Sequence, residues 1–229
     1  MNSVVLLASG GLDSYVTAHY IKNKARKIKI LFFNYGQKCL EEELFCVKKL
    51  AKEIKAELEV IDIKWLGKIS TSLINKNKVS GKEEIIKWYV PCRNTIFLSI
   101  ALAHVESEFL SKSDKYDIYL GIKHEGDIQF NDTTNEFLKR MNKLAEKAIQ
   151  KGDYKIIAPF LNKDKEEIIE LGEKLKLHLE NTYSCYLGKG FAKINNKKIP
   201  IHCGKCSACL ARKKGFKFSS VRDPSIYES

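Results

Sequence analysis

The sequence predicts an α/β fold, a Rossmann-like parallel sheet covered by helices and followed by a small cysteine-bearing C-terminal segment. Three observations predict it. Short apolar runs alternate with amphipathic stretches from residue 4 to about residue 175, the order that builds a parallel sheet through right-handed crossovers. The run Ile28 to Tyr35 is apolar almost without interruption, as strands buried on both faces are. Beyond residue 180 the alternation stops, and cysteine, glycine and lysine take over.

In order, Val4 to Ala8 reads as the first strand, residues 13–22 as a helix and Ile28 to Tyr35 as the second strand. Glu41 to Ile54 places Leu44, Val47, Leu50, Ala51 and Ile54 at helical spacing. Leu58 to Ile63 is a third strand, and residues 66–88 carry no clear period, predicting an irregular excursion. Thr95 to Glu106 predicts an apolar helix, Tyr116 to Gly121 a fourth strand, Glu136 to Gln150 a helix and Ile156 to Ala158 a short fifth strand. Asp164 stands three residues before Glu167, a capping-box-like start for a helix carrying Ile168, Ile169 and Leu171. A boundary near 179/180 divides an α/β unit, 1–179, from a cysteine-bearing segment, 180–229.

The chain has 229 residues, enough for one sizeable domain plus a small appendage. No apolar run approaches a membrane span. The N-terminus enters a strand directly with no signal-peptide pattern, which predicts a cytoplasmic protein. The formal charge is +12, yet only five of the forty basic residues are Arg. Nucleic-acid sites favour Arg for bidentate contacts, so this excess reads as a solvated lysine surface rather than a nucleic-acid footprint. Seven cysteines without an export signal predict metal or catalytic use rather than disulfides.

The chemistry concentrates in Ala8-Ser9-Gly10-Gly11-Leu12-Asp13-Ser14-Tyr15, between the first strand and its helix. Adjacent glycines let the backbone bend sharply and approach an anion, the following amides form a helix N-terminus, and Ser9 and Ser14 add hydroxyl donors. The loop is neither GxxxxGK[ST] nor GxGxxG. In a parallel sheet such a turn faces the ligand crevice. The second cluster, Cys185-x17-Cys203-x2-Cys206-x2-Cys209, has the composition of a closed structural zinc site; its Cys-x2-Cys-x2-Cys run also suits an iron–sulfur cluster. Cys39, Cys46 and Cys92 read as small buried hydrophobes. Arg93 and Asn94 follow Pro91, which makes a rigid entrance to a helix where a guanidinium can grip a phosphate or carboxylate.

The hexapeptide Ser9 to Ser14 resembles the SGGxDS loop of the PP-loop ATP pyrophosphatases, the adenine-nucleotide α-hydrolase type of fold. Together with Tyr35-Gly36-Gln37-Lys38, Val90-Pro91-Cys92-Arg93-Asn94, the four cysteines, Arg212 to Phe216 and Asp223-Pro224, it resembles the 7-cyano-7-deazaguanine synthase family along nearly the whole chain. The resemblance implies an ATP-dependent ligase that turns a 7-carboxy-7-deazaguanine and free ammonia into a nitrile through adenylated acid and amide intermediates. It implies a loop, Ala8 to Tyr15, that binds ATP, and catalytic roles for Ser9, Asp13, Ser14 and Lys165, with Asp13 helping to hold Mg²⁺ and Lys165 neutralising pyrophosphate. Tyr35, Gln37, Arg93, Asn94, Gly121 and Asp132 are the implied substrate contacts, zinc the metal of the four cysteines, and a homodimer the assembly. After Asp132 the family carries Cys-Arg where this chain has Thr133-Thr134, so a related enzyme that adenylates another carboxylate is the alternative, and a tRNA-modifying enzyme a further one.

Overall fold

The computed structural model describes residues 1–69, 89–123, 130–152 and 154–228. Its main sheet has five parallel strands, β1 (Ser3–Leu7), β2 (Ile28–Asn34), β3 (Glu57–Asp62), β4 (Tyr116–Leu120) and β5 (Ile156–Ile157), in the order β3-β2-β1-β4-β5. The connecting helices are α1 (Leu12–Lys22), α2 (Leu40–Ile54), α3 (Lys64–Ile69), α4 (Arg93–Lys112), α5 (Asn135–Ala148) and α6 (Lys165–Lys174). The alternation of β1 assigns its side chains to two cores. Val4 and Leu6 join α1, α2 and α6 on one face, and Val5 joins α4 and α5 on the other. Both faces are therefore covered, which is why β2 is buried along its whole length.

Strand order reverses at β1, whose neighbours are β2 and β4. The carboxyl ends of β1 and β4 thus open the crevice where ligands bind in sheets of this type. The helix opened by Asp164 forms as expected, with a capping box between Asp164 and Glu167. The apolar helix predicted over Thr95 to Glu106 is longer, Arg93–Lys112. Residues 66–69 belong to α3 rather than to an irregular excursion, and 70–88 lie outside the described residues.

The C-terminal segment is more regular than its composition suggests. Strands β6 (Phe191–Ile194) and β7 (Lys197–His202) form an antiparallel hairpin, β8 (Ile226–Tyr227) adds in parallel, and α7 (Ser207–Phe218) lies between β7 and β8 in sequence. The hairpin turns on Asn195 and Asn196, both at positive φ, +47° and +60°. That pairing matches the twist of a two-residue hairpin and suits Asn.

This segment is fastened to the sheet by burial. Phe216 of α7 sits in the same core as α1 and α6. Arg212, with no exposed surface, donates to Thr182 Oγ1 at 2.8 Å, Ser184 Oγ at 3.1 Å, the Leu179 carbonyl at 3.2 Å and Ser225 Oγ at 2.6 Å, and pairs with Asp223 at 3.6 Å. A guanidinium has five N–H donors in a fixed fork, so one side chain joins α7, the chain before Cys185 and the C-terminal strand.

Candidate active site and metal centre

The phosphate-type loop is set by backbone geometry. Gly10 has φ +76°, and a Cβ there would stand 2.6 Å from the Glu43 carbonyl oxygen of α2, so the turn can lie on α2 only because this residue has no side chain. The Gly11 amide donates to Ser9 Oγ at 3.3 Å, and Ser14 Oγ donates to the Gly11 carbonyl at 3.0 Å. Ser9 is exposed and Ser14 buried. The Gly10 carbonyl accepts from the Tyr183 amide at 2.9 Å, so the C-terminal segment straps the loop from behind. Gly121, at the end of β4, backs onto the start of α1, where a Cβ would come within 2.6 Å of Ser14 N and Cα.

Asp13 and Lys165 meet across the cleft although 152 residues separate them. Lys165 Nζ donates to both carboxylate oxygens, at 2.8 and 2.7 Å, and the two side chains are 14% and 20% exposed. Burial holds the Lys165 ammonium below its ordinary pKa, and the Asp13 charge opposes that shift. Lys165 is itself buttressed: a Cβ on Gly215 of α7 would stand 2.5 Å from Lys165 Cγ and 3.0 Å from Ile169 Cδ1.

From this loop a cavity of about 610 Å³ runs to the start of α4. Its walls include Ala8, Ser9, Gly11, Leu12, Asp13, Ser14 and Lys165 at one end and Tyr35, Gln37, Arg93, Asn94, Gly121 and Asp132 at the other. The fifteen expected site positions outside the metal cluster are Ala8 to Tyr15, Tyr35, Gln37, Arg93, Asn94, Gly121, Asp132 and Lys165; all line this cavity except Gly10 and Tyr15. Tyr15 is a correction to the expectation. It is buried away from the cavity, with its hydroxyl donating to Glu53 Oε2 of α2 at 2.6 Å and its ring 4.8 Å from that of His19. A helix rotates 100° per residue, which turns the side chain after Ser14 into the core.

The far end is aromatic. The rings of Phe33 and Phe97 stack at 4.0 Å with an interplanar angle of 7°, Tyr35 lies 5.8 Å from Phe97, and the Arg93 guanidinium sits 5.9 Å above the Tyr35 ring. Tyr89 and Phe130 stack at 5.5 Å in the same wall. Asn94 is spent on structure: its amide donates to Asp132 Oδ2 at 3.4 Å and its side chain to the Asp132 carbonyl at 3.0 Å. Gln37 is equally committed, accepting from the Tyr35 amide and donating to the Phe33 carbonyl and to Glu43 Oε2, each at 3.0 Å. The Thr133-Thr134 pair divides its work. Thr133 lines the cavity, while Thr134 caps α5 by accepting from the Phe137 amide at 3.1 Å.

Sequence reasoning missed Glu43, Tyr183, Ser184 and Tyr186, all of which line the cavity. Nothing in the run Glu41 to Glu43 distinguishes the third acid from the first two; only the packing of α2 under Gly10 turns it inward. Burial raises the Glu43 carboxyl to about 7 against the opposing pull of Gln37, Cys39 and Arg93. Cys92 is a second correction. It is exposed and takes φ +55° at the N-cap of α4, whereas Cys39 and Cys46 are buried as expected.

The four remaining cysteines converge. All four sulfurs of Cys185, Cys203, Cys206 and Cys209 lie within 4.8 Å of one another, with Cys203–Cys209 at 3.8 Å and Cys185–Cys206 at 4.0 Å. Thiolates about 2.3 Å from a tetrahedral zinc ion stand about 3.8 Å apart, so the donor set fits that ion. Backbone amides of Leu187 and Cys203 point at Cys185 Sγ, and those of Lys205 and Cys206 at Cys203 Sγ, at 3.3–3.4 Å. Donors of this kind stabilise the thiolate form a metal requires. The centre adjoins the cavity, because Ser184, Tyr186 and Ser207 flank its ligands and line that wall.

The family model described as queuosine biosynthesis protein QueC matches residues 3–220. The chain belongs to the QueC family. A relative named 7-cyano-7-deazaguanine synthase from Nitratiruptor sp. is 35% identical, with 100% of each chain covered. One of the same name from Methanococcus maripaludis is 34% identical, with 97% of each covered. Among solved structures, a protein described as a predicted subunit of tRNA methyltransferase from Methanocaldococcus jannaschii is similar over 76% of each chain, with a TM-score of 0.50 at 14% identity, a likeness of fold alone. No helix among the described residues is long and apolar enough to cross a membrane.

Proposed function

We propose that this QueC-family chain is an ATP-dependent ligase that converts 7-carboxy-7-deazaguanine and free ammonia into 7-cyano-7-deazaguanine in queuosine biosynthesis. The observation that carries the reading is one cavity that has a phosphate-type loop at one end and an aromatic, arginine-bearing wall at the other. A planar heterocycle suits flat rings, and its carboxylate would lie between Arg93 and the loop.

A carboxylate resists attack by ammonia because oxide would have to leave. Transfer of its oxygen to the α-phosphorus of ATP makes AMP the leaving group, and pyrophosphate carries the developing charge. Ser9, Ser14 and the amides opening α1 are placed to receive that charge, with Lys165 beside them. Ammonia then displaces AMP to give the amide. A second adenylation, on the amide oxygen, lets AMP leave with formation of the C≡N bond. Asp13 orients Lys165 through both its oxygens and would help to hold Mg²⁺, directly or through water. A magnesium ion supplies charge neutralisation at the phosphates. Zinc at Cys185, Cys203, Cys206 and Cys209 would hold the 180–229 segment against the nucleotide-binding unit 1–179 and take no part in the chemistry. The family resemblance supports a homodimer in the cytoplasm as part of this reading.

The test is an assay with 7-carboxy-7-deazaguanine, ammonium and Mg-ATP. Nitrile and AMP are expected, and Ser14→Ala and Asp13→Ala should abolish both. ATP cleavage provoked only by some other carboxylate would favour the alternative of a changed substrate, for which Thr133 in the cavity wall is the place to look.

A further inference from the structure

Three carboxylates line the cavity among the described residues: Asp13, Glu43 and Asp132. They differ in what already holds them. Asp13 is clasped through both oxygens by Lys165. Asp132 accepts from the amide that opens α4 and, with its own carbonyl, fixes Asn94. Glu43 has neutral partners, Gln37 Nε2 at 3.0 Å and the Cys39 thiol, and no cation within ion-pair distance among the described residues. Gln37 is itself pinned at both ends of its amide, by the Tyr35 N–H and the Phe33 carbonyl, so it holds Glu43 in one orientation. The Glu43 main chain is fixed by contact with Gly10 of the phosphate-type loop. A carboxylate is thus held in one orientation in the wall of the cavity that also carries the loop and Arg93, without an ion-pair partner among the described residues.

Such a group has no use in adenylation, where the acid needs no base and negative charge accumulates. The step after it does need one. We propose that Glu43 accepts the proton that ammonia loses when it displaces AMP, a role that rests on the adenylation reading above. The C–N bond forms as one N–H proton passes to the Glu43 carboxylate, and the C–O bond to AMP breaks with its electron pair leaving on the phosphate oxygen. In the second cycle Glu43, having returned its first proton to water, takes one of the two N–H protons of the O-adenylated amide, and the other passes to water as the C–O bond to AMP breaks with its electron pair on the phosphate oxygen and the nitrile forms. A base whose own proton affinity lies near working pH is the most effective for such transfers, and burial places Glu43 at about 7. The groups facing it are Cys39 and Tyr35 after β2, Glu42 and Cys46 on its own helix, and Arg93 of α4, with Gln37 as the neutral donor. Glu42 and burial favour the protonated form, and Arg93 and Gln37 the ionised one.

The test separates the two halves of the reaction in Glu43→Gln, which keeps the shape and can still accept from Gln37. Carboxylate-dependent exchange of labelled pyrophosphate into ATP reports adenylation; nitrile formation at saturating ammonium reports the ammonia steps. Exchange is expected within about twofold of the unaltered protein, with nitrile formation lower by about 10²-fold or more. The deficit should shrink as pH rises and free ammonia and hydroxide take over, and Glu43→Asp should recover part of the rate. Equal loss of exchange and nitrile formation in Glu43→Gln would overturn the role, as would full nitrile formation with an unchanged pH profile. Absence of exchange in the unaltered protein would instead overturn the adenylation reading itself.

Discussion

Replacing Gly215 by Ala should damage nucleotide chemistry from a position that does not line the cavity. The added Cβ would stand 2.5 Å from Lys165 Cγ, 3.1 Å from Lys165 Cβ and 3.0 Å from Ile169 Cδ1. Carbon atoms rest about 3.5–4.0 Å apart, so Lys165 must retreat by about 1 Å or α7 must tilt off α6. Overpacking of this kind costs about 1–3 kcal/mol. For a chain of this size each kcal/mol is worth about 2–4 °C, which places the fall in Tm between about 2 and 12 °C. Because Lys165 Nζ holds both Asp13 oxygens at 2.7–2.8 Å, the same retreat disturbs the loop, and a 1 Å displacement costs about 10²-fold in rate. The assay pairs thermal denaturation with carboxylate-dependent pyrophosphate exchange. Gly190→Ala is the control, since its Cβ meets nothing within 4 Å and only the positive φ, +75°, opposes it. It should lose about 1 kcal/mol or so of stability and no more than twofold in exchange. A Gly215→Ala protein with unaltered Tm and exchange would refute the claim that α7 positions Lys165.

Arg212→Met should cost about 3–5 kcal/mol, the range for removing one partner of a buried ion pair, because Asp223, Thr182 and Ser184 lose their donor together; a midpoint of denaturation unchanged from the unaltered protein would contradict the tether. Metal analysis should give one zinc per chain and no iron, and a chelator or Cys206→Ser should lower Tm and exchange together, since Ser184, Tyr186 and Ser207 line the cavity beside the ligands. A Cys206→Ser protein of normal metal content and stability would rule the centre out as a structural one. Burial acts to raise Asp223, yet donation from Ser225 and Tyr227 and the Arg212 charge hold it below the ordinary carboxylate range. Its folded pKa is therefore depressed, so its stabilisation is complete above about pH 4 and lost as pH falls through the folded value. The Tm gap between the unaltered protein and Asp223→Asn should narrow below about pH 4 and stay constant above it.

The parallel sheet was legible because burial on both faces leaves its mark on sequence: β2 can only be an apolar run, and α2 must carry its apolar residues at helical spacing. The loop and the Cys203-x2-Cys206-x2-Cys209 run were legible because each is a local pattern whose residues are neighbours in the chain, and Cys185 completed the set of four. Tyr15 was misplaced because a contiguous motif does not say which way each side chain turns, and one step along α1 carries it from the cleft into the core. Cys92 was read as buried from residue type alone, yet it occupies a left-handed N-cap at the surface. The Asp13–Lys165 pair joins residues 152 apart, and Glu43 faces the cavity because α2 packs under a glycine of the first turn. No local pattern encodes such juxtapositions. The C-terminal strands escaped notice for a simpler reason, their short length and lysine-rich, half-exposed faces.

The measurement that bears most directly on the central claim follows the oxygen atoms of the carboxylate. With ¹⁸O placed in both carboxyl oxygens of 7-carboxy-7-deazaguanine, the AMP released should carry that label on its phosphate, one atom in each of the two AMP formed per nitrile. AMP free of ¹⁸O, formed while the nitrile accumulates, would contradict the account.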